Sequence, residues 1–262
     1  MMTTPLVLIT GASSGIGQAV ALHYARLGYR LALVARRSQV IQTWLDEHEI
    51  NPINYAIYCA DVANTGHMAS MAQACIAQQG LPDVVIANAG ISVGVDSSVR
   101  EDLSVMAHIL ATNVMGTAAT FGPFITPMLA RGSGTLVGIG SVAGIRGLPG
   151  HGGYCASKAA VISYCESLRG ELRSSGVKVV TLCPGYIDTP LTKNNRYTMP
   201  FLMQPEVFAE NAVGAIAAGC SYRVIPWQMG VVAKLLRLLP NALFDRLFAG
   251  RPRKPRVTDT QD

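Results

Sequence analysis

The sequence predicts an α/β domain in which helices cover both faces of a doubly wound parallel sheet of about seven strands. Short apolar segments alternate with helical stretches along the chain, and continuously apolar strands are typical of a parallel sheet buried on both faces. A glycine-rich turn joins the first such strand to the first amphipathic stretch. The length of 262 residues, 50% of them hydrophobic, suits one large domain with a filled core.

The first structural unit has the order strand, turn, helix, strand. The segment "PLVLIT" precedes "GASSGIG", then "QAVALHYARLG", in which Gly28 ends the helix, and then "YRLALVAR". Because a crossover of this kind is right-handed, its two strands lie parallel in one sheet. Further strands are predicted near residues 56–60, 84–88, 135–140, 177–183 and 223–226.

A single catalytic domain is predicted over residues 1–250, because no Pro-, Gly- or Ser-rich linker divides the chain. It includes a lid over 188–210 and an apolar helical extension over 227–248, which Pro240 should break into two helices. Residues 251–262 are expected to form a basic, disordered tail.

The composition argues against several classes of protein. The net charge of +5 is spread thinly, without a basic helix or interleaved aromatic residues, so no nucleic-acid partner is expected. Neither a signal peptide nor a spanning helix is expected. The cysteines have no metal-ligand spacing, which predicts buried, reduced thiols, a cytoplasmic protein and no metal. They are Cys59, Cys75, Cys155, Cys165, Cys183 and Cys220.

The glycine-rich turn is a candidate dinucleotide site. Gly11, Gly15 and Gly17 lie between the first strand and the first helix. Glycines there permit a tight turn and let the backbone approach a pyrophosphate at the helix N-terminus. Glycines also serve plain turns, so the position after a strand carries the argument.

The end of the second strand indicates which dinucleotide is bound. Arg36 and Arg37 stand where NAD sites have an acidic residue, and no carboxylate follows before Asp46. Guanidinium groups suit a 2′-phosphate, which predicts NADP(H). The alternative is that both arginines are solvated loop residues.

The order of the motifs resembles that of the short-chain dehydrogenase/reductase family, a Rossmann-type fold. The chain has "TGASSGIG", then Asp61, "NAG" at residues 88–90, Asn113, Ser141, "YCASK" with Tyr154 and Lys158, and "PGYIDT" at residues 184–189. One departure is Ala87, where many members have a second asparagine.

The resemblance implies roles for four catalytic residues. Tyr154 would be the general acid and base, and an ammonium beside it, that of Lys158, favours the phenolate and so lowers the phenol pKa. Lys158 would also hold the nicotinamide ribose. Ser141 would donate a hydrogen bond to the substrate oxygen, and Asn113 would hold a water for proton supply.

The resemblance also implies the cofactor contacts. Besides the three glycines, the two arginines, Tyr154 and Lys158, these are Ser13, Ser14, Ile16, Asp61, Val62, Asn88, Ala89, Gly90, Pro184, Gly185, Ile187 and Thr189.

The substrate pocket is expected to contain Ser141, Tyr154 and His151. Apolar side chains in the lid favour a lipophilic substrate, although they would equally pack the lid onto the body of the domain. They are Met199, Phe201, Leu202, Met203 and Phe208.

The C-terminal extension is apolar apart from one polar strip, formed by Lys234, Arg237, Asn241 and Asp245. A dimer partner, the lid of the same subunit or a membrane surface would cover its apolar face. Packing within the protein or its oligomer is favoured over peripheral membrane contact. The resemblance implies a homodimer or homotetramer with the helix of Tyr154 at an interface.

These observations predict an NADP(H)-dependent oxidoreductase that interconverts a carbonyl and a secondary alcohol on a lipophilic small molecule. Two alternatives stay open. One is a membrane-associated lipid or steroid reductase, and the other is a catalytically weak dinucleotide-binding sensor.

Overall fold

A seven-stranded parallel sheet forms the centre of the molecule, in the order β3-β2-β1-β4-β5-β6-β7. The computed structural model describes residues 4–193, 195, 197–250 and 252–256. The strands are β1 (Leu6–Thr10), β2 (Arg30–Ala35), β3 (Tyr55–Cys59), β4 (Val84–Ala87), β5 (Gly134–Ile139), β6 (Val177–Pro184) and β7 (Tyr222–Ile225).

Helices cover both faces of the sheet. They are α1 (Gly15–Arg26), α2 (Ser38–Glu47), α3 (Thr65–Gln79), α4 (Asp102–Leu110), α5 (Gly116–Arg131), α6 (Gly152–Glu171), α7 (Pro205–Ala217), α8 (Trp227–Leu238) and α9 (Asn241–Phe248). The first, second and seventh pack in one core, and the third, fifth and sixth pack in the other.

The central strands are apolar over most of their length because both of their faces are buried. In β1, Val7 and Ile9 point into one core, and Leu6 and Leu8 point into the other. All four side chains are at most 1% exposed. This explains why the strand has no alternation of apolar and polar residues.

The order of the strands creates a cleft at their carboxyl ends. β1 pairs with β2 on one side and with β4 on the other, so the connections leave β1 and β4 in opposite directions. A ligand site is expected in the crevice at such a switch point.

The sequence-based strands agree with the structure within one or two residues. Pro240 separates α8 from α9, so the expectation of two short helices is confirmed. The predicted lid extends too far, because α7 begins at Pro205 and Phe208 is fully buried in the core.

The expectation of a disordered C-terminal tail is wrong for residues 252–256. Arg253 and Arg256 pair with Asp96 and Asp102, which fixes this segment against the loop before α4. Residues 251 and 257–262 of the predicted tail, and residues 194 and 196 of the predicted lid, lie outside the described residues.

The described part of the chain has no helix that is both long and apolar enough to cross a membrane. Within the same residues, no group of three or more His, Cys, Asp or Glu side chains is placed to hold a metal. All six cysteines are free, and Cys59 is exposed, contrary to the expectation that all are buried.

Candidate active site

One cavity of about 600 Å³ lies at the carboxyl ends of the strands. Nearly all of the residues predicted from the sequence line it. Those at the cofactor end are Gly11, Ser13, Ser14, Gly15, Ile16, Arg36, Arg37, Asp61, Val62, Asn88, Ala89, Gly90, Pro184, Gly185, Ile187 and Thr189. Ser141, His151, Tyr154 and Lys158 line it as well, whereas Gly17 and Asn113 stand behind its wall.

The glycine turn leaves no space for side chains. Gly11 has a φ of 68°, and a Cβ there would lie 2.8 Å from the Cα of Ala89. A Cβ on Gly17 would overlap the carbonyl oxygen of Gly11. The backbone at the start of α1 is therefore open to a ligand such as a pyrophosphate.

A residue missed by the sequence analysis, Thr10, ties the glycine turn to the "NAG" segment. Its buried hydroxyl accepts hydrogen bonds from the backbone N–H groups of Asn88 (3.1 Å) and Ala89 (3.2 Å). The Asn88 amide donates to the carbonyl oxygen of Thr10 at 3.0 Å. A threonine at the end of an apolar strand, directly before the glycines, is the signal in the sequence.

Two arginines stand at the adenosine end of the cavity. Arg37 donates to the hydroxyl of Ser13 at 3.4 Å, and Arg36 lies 3.8 Å from the carboxylate of Asp61. Both guanidinium groups line the cavity. Both residues follow directly after β2, at the carboxyl edge of the sheet.

Three of the four predicted catalytic side chains line the cavity, namely Ser141, Tyr154 and Lys158. Tyr154 is partly buried in the first turns of α6, and Lys158 follows one turn later with 5% of its surface exposed. Ser141 lies just after the end of β5, and its hydroxyl accepts a hydrogen bond from Ala143 N at 3.2 Å. Burial raises the pKa of Tyr154 to about 12, and a hydrogen bond with Ser141 acts in the opposite direction.

The ammonium of Lys158 lies near Tyr154 and is hydrogen-bonded to the backbone. It donates to the carbonyl oxygen of Ile139 at 2.8 Å and lies 5.9 Å from the centre of the Tyr154 ring. Burial lowers the pKa of Lys158 to about 8. Desolvation thus raises the pKa of Tyr154 and lowers that of Lys158, so each shift favours the neutral form of its group.

Asn113 braces the wall of the cavity. It lies in a short π-helical segment, Ala111–Met115, and is fully buried. Its amide donates to the carbonyl oxygen of Ile91 and to the hydroxyl of Ser157, both at 2.9 Å, and its oxygen accepts from Ile91 N at 2.8 Å. The side chain joins α6 to the loop after β4, and its role in a water relay stays a prediction.

The lid is a loop whose two ends pair. Asp188 N donates to Met203 O at 2.9 Å, and Met203 N donates to Tyr186 O at 3.0 Å. Leu191, Tyr197 and other residues of this loop line the cavity. None of the five apolar residues of the predicted lid lines the cavity. Phe201 and Leu202 point outward, and Phe208 lies in the core.

The apolar wall of the cavity comes instead from the C-terminal extension. Six side chains of α8 and α9 line it, namely Met229, Val232, Ala233, Leu236, Leu247 and Phe248. The sequence indicates the apolar face of these helices but does not determine what covers it. In the structure the inner face covers the substrate end of the cavity, and the outer face, with Leu235 and Leu238, is exposed.

Two further groups mark the substrate end. His151 donates or accepts a hydrogen bond with the hydroxyl of Tyr197 at 3.2 Å. The ammonium of Lys254, from the docked C-terminal segment, also lines the cavity. Nothing in the sequence indicated this lysine, because its tail was expected to be solvated.

Comparisons with known proteins agree with this geometry. The family model described as short chain dehydrogenase matches residues 5–200. An uncharacterized oxidoreductase of Myxococcus xanthus is 38% identical over 93% of this chain and 96% of its own length.

Two solved structures have the same fold. One, a short chain dehydrogenase/reductase from Burkholderia phymatum in complex with NAD, has a TM-score of 0.81 and 24% identity, covering 97% of this chain and 99% of the other. The second, a variant of actinorhodin polyketide ketoreductase with NADPH, has a TM-score of 0.76 and 25% identity, covering 86% and 97%.

Proposed function

The chain belongs to the short-chain dehydrogenase family, and we propose that it is an NADP(H)-dependent oxidoreductase that interconverts a carbonyl and a secondary alcohol. One observation carries the proposal: Ser141, Tyr154 and Lys158 line the same cavity as the glycine turn. A dinucleotide on the turn and a carbonyl at the two hydroxyls would lie side by side, as transfer between them requires.

The residues present fit a nicotinamide dinucleotide. Gly11 and Gly17 leave room only for backbone beside the start of α1, and the first turn of α1 carries no acidic residue that would repel phosphate. Lys158 and the segment from Pro184 to Thr189 would hold the nicotinamide end. When bound, the cofactor supplies or accepts the hydride.

The preference for NADP(H) rests on Arg36 and Arg37. Arg37 contacts Ser13 in the glycine turn, so a 2′-phosphate would meet two guanidinium groups and a hydroxyl. The pair of Arg36 with Asp61 is exposed and 3.8 Å long. An exposed pair of this kind contributes little free energy, so the guanidinium of Arg36 can exchange the carboxylate of Asp61 for a phosphate dianion.

In the reducing direction, Tyr154 gives its proton to the carbonyl oxygen as the carbonyl carbon gains the hydride. The product is a secondary alcohol, and the tyrosine is left as a phenolate. Ser141 donates a hydrogen bond to the same oxygen and stabilises the charge that develops there. Lys158, one turn along α6, stabilises the phenolate until it is protonated again.

The protonation state of the free protein favours reduction. Burial raises the pKa of Tyr154 to about 12, so the side chain carries at neutral pH the proton that reduction consumes. For oxidation the phenolate must form first, which requires the positive charge of Lys158 and of an oxidised nicotinamide. The preference for NADP(H) points in the same direction.

The substrate has an apolar body. The inner face of α8 and α9 contributes Val232, Leu236 and Phe248 among other apolar side chains to the substrate end of the cavity. Burying an apolar substrate there is favourable in proportion to the area removed from water. A panel of carbonyl compounds with growing alkyl chains should give rising kcat/KM with NADPH.

A second candidate is a reductase that takes its substrate at a membrane surface. It is favoured by the outer face of α8 and α9, where Leu235, Leu238 and Leu243 are 60%, 80% and 56% exposed. Co-sedimentation with anionic vesicles should then occur and should be lost when these three leucines are replaced by glutamine. Retention in the supernatant of the unchanged protein would exclude this candidate.

We also propose an oligomeric state and a cellular location. The outer face of α6, with Ala156, Ala159 and Ser163 exposed, supports a homodimer or homotetramer built on this helix, which light scattering would measure. The six free thiols support a cytoplasmic location, where thiols stay reduced.

The decisive experiment separates an enzyme from a dinucleotide-binding sensor. Purified protein is given NADPH and the carbonyl panel, and oxidation of NADPH is followed by absorbance. Turnover that disappears in Tyr154→Phe while NADPH affinity is kept supports the enzyme. Equal consumption of NADPH by both proteins would contradict the role of Tyr154.

A further inference from the structure

The C-terminal segment 252–256 is docked at the substrate end of the cavity. Arg256 donates to both carboxylate oxygens of Asp102 at 2.7 and 2.9 Å. Gly94 N donates to the carbonyl oxygen of Pro255 at 3.0 Å, and Arg253 lies 3.7 Å from the carboxylate of Asp96. A two-pronged bond to a carboxylate fixes orientation as well as distance.

Two glycines in other parts of the chain leave space for this segment. A Cβ on Gly94 would overlap the carbonyl oxygen of Lys254, and a Cβ on Gly150 would lie 2.8 Å from that of Arg253. Any other residue at position 94 would push the segment away. The backbone of Lys254 is therefore held where its side chain enters the cavity.

The side chain of Lys254 is a buried cation with one neutral partner. It is 8% exposed and donates to the carbonyl oxygen of Leu191 at 3.1 Å. Among the residues that the structure describes, no carboxylate pairs with it. An ammonium has three donors, and the described residues accept from one of them, which leaves two for a group inside the cavity.

Arg146, another cation among the described residues that line the cavity, is already occupied. Arg146 donates to the carbonyl oxygens of Leu236 and Leu239 and to the side chain of Asn241. It therefore holds the helix pair in place. Of these two described cations, Lys254 is the one with hydrogen-bond donors available to a ligand.

The surroundings of Lys254 suit a singly charged anion. Burial, together with the nearby charge of Lys254, lowers the pKa of His151, so this ring is neutral at neutral pH and adds no second positive charge. The hydroxyl of Tyr197 lies beside it at 3.2 Å. One ammonium and neutral donors match a carboxylate better than a phosphate dianion, which usually meets several cations.

We propose that Lys254 binds a carboxylate of the substrate, at the end remote from the carbonyl that Tyr154 protonates. This deepens the proposed function and rests on it for the identity of the reaction. The substrate is then an oxo acid, with the carbonyl at Ser141 and Tyr154, an apolar middle against α8 and α9, and the carboxylate at Lys254. A buried ammonium without a counter-ion is costly, and the carboxylate would supply that counter-ion.

The test compares a carboxylate with its uncharged analogue. Octanoate and octanamide are titrated into the protein by calorimetry, with and without NADPH, so that no turnover is involved. We expect octanoate to bind about 10- to 100-fold more tightly than octanamide. In Lys254→Met this preference should disappear, with octanamide affinity unchanged, and Lys254→Arg should restore part of it.

The matched control is Lys234→Met, which removes an exposed lysine from α8 and should keep the preference for octanoate. A preference that survives in Lys254→Met, or one that is absent from the unchanged protein, would overturn the proposal. So would tighter binding of octyl phosphate than of octanoate.

A kinetic comparison separates this site from the proposed reaction. Medium-chain oxo acids and their amides are tried as substrates with NADPH. If neither turns over while octanoate binding depends on Lys254, the anion site stands and the reaction is wrong. If both turn over and Lys254→Met leaves the ratio of their kcat/KM values unchanged, the reaction stands and the anion site is wrong.

Discussion

The guanidinium carbon of Arg146 lies 3.9 Å from the centre of the Phe244 ring. This contact joins the loop between the two predicted catalytic hydroxyls, of Ser141 and Tyr154, to the C-terminal helix pair. The same guanidinium donates to Leu239 O at 2.7 Å, at the end of α8 where the helix dipole is negative. The apolar wall of the cavity is thus tied directly to the catalytic loop.

Replacing Arg146 by methionine should release the helix pair. We expect the free energy of unfolding to fall by about 1–3 kcal/mol, because three hydrogen bonds, two of them partly buried, and a cation–π contact are lost. KM for an apolar carbonyl substrate should rise more than kcat falls. Urea unfolding and steady-state kinetics measure the two effects.

The matched control for Arg146 is Arg173→Met, at an exposed arginine outside the cavity, which should change neither quantity. Arg146→Lys should recover only part of the stability, because an ammonium lacks the fork that reaches three acceptors. Full recovery by lysine would show that charge alone matters at this position.

Replacing Tyr154 by phenylalanine should lower kcat about 10²- to 10⁴-fold, the usual contribution of a positioned acid or base. The affinity for NADPH should change less than threefold, since the ring remains in place. Tyr55→Phe removes a hydroxyl that contacts Gln42 outside the cavity and should leave kcat unchanged. A mutant of Tyr154 that retains more than a tenth of the activity would assign the proton to another group.

The fold could be predicted because it depends largely on local sequence, whereas the candidate catalytic residues were indicated by motifs that resemble those of a known family. The first four residues of β1 are apolar because both faces of the strand are buried, and that pattern needs no knowledge of its neighbours. Tyr154 and Lys158 face the same side because one helical turn separates them. The glycine turn is recognisable because Gly11 has a φ of 68°, which other residues rarely adopt, and a Cβ there would lie 2.8 Å from the Cα of Ala89.

The substrate end could not be predicted because it depends on contacts between distant segments. Phe208 looked like a lid residue, although it belongs to a helix packed on α1 in the core. Lys254 enters the cavity because contacts such as the ion pair of Arg256 with Asp102, which is distant in the sequence, hold its segment in place. A basic tail has the same composition whether it is solvated or docked, so its sequence alone does not decide between the two.

Replacing Arg36 or Arg37 by alanine should weaken NADPH binding about 10- to 100-fold and leave NADH binding within a factor of two. The reason is the loss of a charge-assisted bond to the 2′-phosphate, which NADH lacks. Calorimetric titration of both cofactors measures the change. Arg26→Ala removes an exposed charge at the end of α1 and serves as the control. Equal binding of NADPH and NADH by the unchanged protein would remove the assignment of NADP(H).

Replacing Thr10 by valine should destabilise the protein by about 2 kcal/mol, because the N–H group of Ala89 loses the hydroxyl that accepts its hydrogen bond at 3.2 Å. NADPH affinity should fall as well, since Asn88 and Ala89 form part of the cavity wall. Thr43→Val, at an exposed hydroxyl on α2, should have little effect. Unchanged stability of the Thr10 variant would mean that the "NAG" segment is held by its other bonds alone.

Replacing Lys254 by methionine should stabilise the protein near neutral pH, although it removes a binding group. Burial lowers the pKa of Lys254 from 10.5 to about 8, so the folded state carries the ammonium at a cost of at most about 3 kcal/mol below pH 8. As pH rises through 8 the folded lysine loses its proton and this cost shrinks, and it vanishes above 10.5, where the unfolded lysine is neutral too. Urea unfolding at pH 7 and pH 10 should therefore give a larger advantage of the variant at pH 7. Saturating octanoate should remove that advantage by stabilising only the unchanged protein, and an advantage that is independent of pH would contradict a buried charge at this position.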